Sequence, residues 1–472
     1  MKLNYFIIIF SLLMFFTCKE EKRAMYDIAI LNGNVIDVES GTILKQDVLI
    51  KDNRIKGVIA SGTSTNYEVF ETIDASDKYI LPGFWDNHVH FRGGDALIMA
   101  NKTFLKLFIM NGVTTVRDAG GDLTPSVIKW NKEVKSGELL GPNIFTSGPK
   151  IDGPEATWAG SLEVENNEDI SRALDSLQKL KTDFVKIYDS RITREAYLET
   201  VEQATSRGLV TSGHIPFTVE LKETIEAGIG AIEHLYYILK GCSSKEQEIT
   251  KAIVNKEYGF WQSMDQLISS YDDEVAQRTF QNLKDNDVYV VPTLHIGDIL
   301  SYLDQVDHRD NAYLKMIPKE IVKTYEGRIK GALNASDKSK ENRMALNSKF
   351  IELTKSLNKA KVKLLAGSDC GAFNSYVYPG ISLHKELQEM VEAGLTPREA
   401  LKTSSLNGSD FLNKNRNYGT IEKGKIADIV ILNASPLEDI SQTRNIYRVI
   451  KNHQIINPKD IAQEIGCIDC LY

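Results

Sequence analysis

At 472 residues the chain is longer than one ordinary domain, and an α/β barrel with insertions plus a small accessory domain would use all of it. Its composition, 42% hydrophobic and 25% charged, is that of a soluble globular protein. A formal net charge of −8 speaks against a nucleic-acid partner, which requires a basic face.

The chain begins with Lys2 and an apolar run from Tyr5 to Phe16, which has the length of a secretory core and is short for a bilayer span. Cys18 follows directly, with Glu20 and Glu21 behind it, and the segment resembles a bacterial lipoprotein signal whose cysteine is lipidated. That resemblance implies export to the bacterial cell envelope and a lipid anchor at Cys18, on the outer membrane. Plain secretion and an uncleaved anchor are the alternatives, and residues 1–18 are set aside as signal.

From Asp27 to Ile80, short β-type runs such as Ile28-Ala29-Ile30-Leu31 and Val48-Leu49-Ile50 alternate with turn residues. The same texture returns at Ile429-Val430-Ile431-Leu432 and Ile446–Ile450. Each end is too small to bury a core alone, so residues 24–79 and 413–457 are expected to build one β-sandwich domain. Between them, over 80–412, apolar runs alternate with helical patterns, the signature of βα units around a parallel sheet. Eight candidate strands end near His90, Asp118, Ser147, Tyr188, His214, His234, His295 and Asp369, which predicts a (β/α)8 TIM barrel with its site at the strands' C-terminal ends. Two long connections, from Lys240 to Asp287 and from Gly297 to Lys361, are rich in Lys, Asp, Glu and Asn and read as a solvated helical cover. Residues 458–472 form a tail containing Cys467 and Cys470, which in an oxidising envelope make a local disulfide or remain idle thiols.

The chemistry gathers at the strand ends. His88 and His90 point the same way on strand one, inward at the barrel mouth, where two imidazoles share one metal. In Asp183-Phe184-Val185-Lys186-Ile187-Tyr188 the lysine lies on a buried strand, where an unpaired ammonium is expensive. Lys186 must be paired, neutralised or modified, and reaction with CO2 would make it a carbamate able to bridge two cations. His214 and His234 close the next two strands in a chain with only eight histidines, and Asp369 ends the eighth. Asp369 would ligate a metal and take a proton from its water. Such a donor set suits zinc, with manganese, iron or nickel also accommodated. Tyr188 is placed to hydrogen-bond a substrate carbonyl, or is structural. His295 is a candidate to reach the substrate from strand seven. His384 reads as packing or capping, and Arg117-Asp118 as a structural ion pair.

Together these motifs resemble the amidohydrolase superfamily, in its imidazolonepropionase-like and prolidase-like (Xaa-Arg dipeptidase-type) branch. The likeness rests on L-P-G-F-W-D-N-H-V-H (Leu81–His90), G-V-T-T-V-R-D (Gly112–Asp118), A-G-S-D (Ala366–Asp369) and G-T-I-E-K-G-K-I-A-D-I-V-I-L (Gly419–Leu432), and spans about Ile30 to Ile450. It implies that His88, His90 and Asp369 hold one Zn2+, that His214 and His234 hold a second, and that a carboxylated Lys186 bridges them. It also implies hydrolysis of a C–N bond in a small-molecule substrate, a dipeptide or N-acyl amino acid. G-H-I-P at Gly213–Pro216 and Y-D-S at Tyr188–Ser190 depart from the better-understood dipeptidases. A mononuclear cyclic-amide hydrolase or deaminase is the alternative, and a non-catalytic surface binding protein is a third reading.

Overall fold

The computed structural model describes residues 24–63, 67–467 and 470; the run Tyr5–Phe16 and Cys18, expected to direct export, lie outside the described residues. Among the described residues no helix is long and apolar enough to cross a membrane.

The two ends of the chain meet as their β texture requires, in one eight-stranded sheet. The joint is the short strand Tyr79–Pro82, which runs parallel to Ala24–Ile36 on one side and antiparallel to Ile429–Leu432 on the other. The sheet curls on itself, for Arg54 bridges Ile426 just ahead of the Ile429–Leu432 strand. Inside the curl lies a core made largely of β-branched side chains, including Ile30, Ile50, Ile80, Ile429 and Ile450. Such residues suit a pleated, half-buried surface.

The barrel strands are Phe84–Val89, Val113–Asp118, Asn143–Thr146, Val185–Ile187, Thr211–Gly213, Ala231–Glu233 and Tyr289–Val291. All their mutual pairings are parallel. The third and fourth strands are joined where the Asp183 amide donates to the Thr146 carbonyl at 2.9 Å. The eighth position is an extended segment rather than a regular strand, pinned by bridges from Leu364 to Val290 and from Cys370 to Val89. Its Asp369 amide donates to the His88 carbonyl at 2.7 Å, which closes the ring against strand one.

Trp85, Phe145, Phe184, Tyr289 and Phe411 plug the lower interior, with Trp85 stacked on Phe145 at 5.3 Å. Above them lies a layer of charged and hydroxyl side chains, and above that the imidazoles. Gly213 is required by strand proximity, since a Cβ there would collide with the Ile187 carbonyl oxygen.

Two expectations are corrected. Strand seven ends at Val291, not near His295; Thr293 adopts a left-handed backbone (φ 50°) and starts the helix Leu294–Tyr302, whose first turn carries His295. The segment after 457 is not a detached tail. It forms the helix Pro458–Ile465, buries Ile461 and Ala462 in the main core, and ends in a disulfide between Cys467 and Cys470.

Ile429 is fully buried at the seam between the two chain ends. Ile429→Ala is expected to destabilise the protein by about 2–5 kcal/mol through the lost methylenes and the cavity left behind. Chemical denaturation measures this, and a change below about 1 kcal/mol would show that the joint sheet is dispensable.

Candidate metal centre

The centre rests on a buried carboxylate. Glu233, fully enclosed on strand six, accepts from Arg117 Nη2 at 2.9 Å and from the Ser212 hydroxyl, and its second oxygen meets His88 Nδ1. Arg117 also donates to Ser212 Oγ at 2.8 Å and to the Asn87 carbonyl at 2.5 Å, while its guanidinium lies 5.1 Å from both the Phe184 and Phe411 rings. Burial alone would push the Glu233 carboxyl up, but Arg117, His88 and Lys186 outweigh it and hold it well below the ordinary range. The expected Arg117–Asp118 pair does not form. Neighbouring strand residues face opposite ways, so Arg117 enters the barrel while Asp118 accepts from Thr146 Oγ1 at 2.7 Å outside it.

On this base stand His88, His90, His214, His234 and Asp369. His88 and His90, two residues apart at the end of strand one, face the same way and reach the same place. Their Nε2 atoms are 3.1 Å apart, and the Asp369 carboxylate is 3.6 Å from the first and 3.2 Å from the second. Ligand atoms of these three residues lie within 4.8 Å of one another. His234 joins from the other side, its Nε2 4.0 Å from Asp369, and its ring is 4.8 Å from that of His214. Both His234 (φ 66°) and Asp369 (φ 57°) sit in the left-handed region, which turns their side chains inward at the strand ends.

Every one of the four imidazoles has its Nδ1 committed to an acceptor. His90 Nδ1 donates to the Gly120 carbonyl at 2.9 Å, His214 Nδ1 to Asp189 at 3.0 Å, and His88 Nδ1 to Glu233. His234 Nδ1 donates to Thr293 Oγ1 at 2.7 Å, since that hydroxyl spends its own proton on the Pro292 carbonyl. The Nδ1–H tautomer leaves each Nε2 with a lone pair. Burial drives His90, His214 and His234 below the ordinary imidazole range, so these rings are neutral. Two bare lone pairs 3.1 Å apart repel unless a cation lies between them, and about 3.3 Å is the separation that two nitrogens ligating a tetrahedral zinc would have.

Lys186 lies on strand four, fully buried, with its Nζ making no hydrogen bond and standing 3.7 Å from Glu233. Burial lowers it to about 8, with Arg117 adding to the effect. Tyr188, two residues on, lines the pocket with its ring 4.3 Å from that of His214.

The pocket over these groups holds about 180 Å³. Part of its wall comes from the supposedly solvated cover: Leu300, Arg328 and Phe350 all belong to the second long connection. Arg92 enters from the loop after strand one, its guanidinium 4.2 Å from the Trp158 ring and bonded only to the Ala372 carbonyl and Asn374. Neither Arg92 nor Arg328 has a carboxylate partner among the described residues. Asn374 donates to Asp369 Oδ1 at 2.9 Å.

His295 does not reach this pocket. Its Nδ1 bonds Glu389 at 2.7 Å and it faces a separate cavity, because the helix carrying it turns that side away. His384 is a packing residue held between the Asn111 carbonyl and Thr443. Sequence reasoning passed over Glu233, Arg92, Asp189 and Arg328. Asp189 stood beside Tyr188, an identified strand-end residue, which was the available signal; Glu233 carried none, since its neighbour His234 would face the other way on a regular strand.

Residues 79–456 match the model of the amidohydrolase family. An adenine deaminase of Listeria monocytogenes is 37% identical over 94 residues, which are 20% of this chain and 15% of that enzyme's length. A solved Xaa-Pro dipeptidase with methionine bound in its active site is 20% identical with a TM-score of 0.66, over 91% of this chain and 99% of the other. A bottromycin amidohydrolase gives a TM-score of 0.69 at 19% identity, over 93% and 90%. These structural likenesses show a common fold.

Glu233→Gln removes the charge that balances Arg117 and the acceptor that orients His88. Breaking a buried pair in this way should cost about 3–5 kcal/mol of stability, and loss of the orienting partner should weaken metal affinity roughly 10–100-fold. Denaturation and zinc titration read the two effects separately, and wild-type values in both would remove Glu233 from the centre.

Proposed function

Because this chain belongs to the amidohydrolase family, we propose that it hydrolyses the C–N bond of a dipeptide or N-acyl amino acid using two divalent cations, zinc foremost. The observation that carries the reading is the convergence of four Nε2 lone pairs and the Asp369 carboxylate on one pocket floor beside an unbonded, buried Lys186 amine. His88, His90 and Asp369 would hold one cation. His214 and His234 would hold the other, with Lys186 between them as a carbamate: the neutral amine adds to CO2, forming an N–C bond and releasing one proton. When bound, such cations polarise the scissile carbonyl and make a water nucleophilic near neutral pH.

The chain's own groups supply the rest. Asp369 accepts the proton of the attacking water and returns it to the leaving amine, and Asn374 fixes the orientation of its carboxylate. Tyr188 donates to the substrate's carbonyl oxygen. Arg92 and Arg328, whose guanidiniums line the pocket without a carboxylate partner among the described residues, hold the substrate's free carboxylate. Trp158 keeps Arg92 in place with its ring 4.2 Å from the guanidinium, and Ile296, Leu300 and Phe350 exclude water from the substrate's apolar side chain.

A mononuclear reading, a deaminase or cyclic-amide hydrolase, is favoured by the local likeness to adenine deaminase and by the 3.7 Å approach of Lys186 to Glu233, where it would remain a plain amine. The two readings separate on composition and substrate. Protein grown with zinc and bicarbonate should carry two equivalents of metal and Lys186→Ala no more than one; a single equivalent in the wild type would favour the mononuclear reading. A panel of dipeptides and N-acyl amino acids, set against adenine and lactams, then tests the substrate class. Asp369→Asn should lower turnover by roughly 10²–10⁴-fold while retaining much of the metal, and unchanged turnover would remove Asp369 from the proton path.

A further inference from the structure

His295 opens onto a second cavity of about 340 Å³ on the far side of its helix, within the range of small-molecule sites. Its walls carry flat rings in two stacked pairs. His308 lies on Tyr376 at 4.5 Å and 26°, and Tyr313 beside Tyr378 at 6.1 Å and 27°. Two cations, Lys385 and Arg444, line the same space, and neither has an ion-pair or hydrogen-bond partner among the described residues. The Tyr378 side chain is 3% exposed, yet its hydroxyl has no partner, and His308 Nε2 is likewise buried and unbonded. A buried hydroxyl without a partner is costly, and it marks a place where a ligand or water completes the bonding. Nothing in the catalytic pocket uses any of these groups.

We propose that this cavity binds a planar aromatic carboxylate, with its ring against the aromatic side chains that line the cavity and its anion on Lys385 and Arg444. The aromatic faces accept a flat ring in stacked or edge contact. The two free cations set the sign of the ligand, and the Tyr378 hydroxyl and His308 Nε2 supply directional bonds to its oxygens. Glu389 does not cancel Lys385, because burial pushes its carboxyl up to about 9 and leaves it protonated at neutral pH.

The cavity shares two walls with the catalytic pocket. On the helix Leu294–Tyr302, His295 and Ile299 face the second cavity while Ile296, Gly297 and Leu300 face the first. The residue ahead of this helix, Thr293, holds His234 Nδ1. The loop carrying Tyr376 and Tyr378 also carries Asn374, which bonds Asp369. A ligand that tightens one face of these elements therefore acts on the groups that orient His234 and Asp369, which is how two sites become coupled.

The test uses benzoate and indole-2-carboxylate as probes, with cyclohexanecarboxylate and benzyl alcohol as controls for flatness and charge. Calorimetry on the full protein, both zinc-loaded and chelator-stripped, should show one aromatic carboxylate bound per chain in either state, so the result does not depend on the hydrolytic reading. Lys385→Gln with Arg444→Gln should weaken binding at least tenfold, and Tyr378→Phe should weaken it severalfold. Both charge substitutions are at half-exposed positions and should leave the fold intact, as thermal melting will confirm. Hydrogen exchange should slow at residues 294–302 and 374–378 when the probe binds. The proposal is overturned if no probe binds at millimolar concentration, or if binding is lost in Arg92→Ala and Arg328→Ala but not in the Lys385 and Arg444 variants. Equal binding of cyclohexanecarboxylate would overturn the requirement for a flat ring, and unchanged exchange would overturn the coupling.

Discussion

The Glu233 carboxylate holds the middle of this protein together. It is fully buried, and desolvating an ion there costs several kcal/mol unless partners replace the lost water. Arg117, Ser212 and His88 replace it, and each comes from a different strand: two, five and one. One charge thus ties four strands of the barrel at a single level. It also selects the tautomer of His88, so the same interaction that stabilises the interior aims a lone pair at the site. Stability and ligand geometry cannot be varied separately at this position.

The layers above and below follow from that choice. Arg117 must be satisfied on all sides, and the rings of Phe184 and Phe411 beneath it supply faces that tolerate a guanidinium. Those rings belong to the apolar plug, which keeps water from reaching the charged layer from below. Above it, strand alternation would spread the terminal side chains over both faces. The left-handed residues His234 and Asp369 bring them back to a common point. Strain at those positions is tolerable because the surrounding bonds, Thr293 to His234 and Asn374 to Asp369, over-determine them.

Much of this was legible in the residues. Histidines at 88 and 90 carry an alternation signal, and a lysine inside the apolar run at 185–187 is conspicuous because burial makes its charge expensive. The βα rhythm announced the barrel, and the isoleucine-rich ends announced their joint sheet. Glu233 was not legible, because beside His234 on a regular strand it should have pointed away from the site; only the left-handed turn at His234 lets both face inward. His295 failed for the complementary reason. The apolar run Tyr289–Val291 looked extendable through Pro292, Thr293 and Leu294, but the helix begins at Leu294. Arg328 lay in a connection whose charged composition said only that it was solvated, and composition does not say which charge folds back over a pocket.

Lys186 is a second buried charge that the barrel interior must accommodate. Arg117 pairs with Glu233, and burial keeps His90, His214 and His234 neutral. Burial lowers the Lys186 amine to about 8, with Arg117 adding to the effect. Loss of water brings the ammonium closer to releasing its proton, while Glu233, 3.7 Å away, opposes that shift.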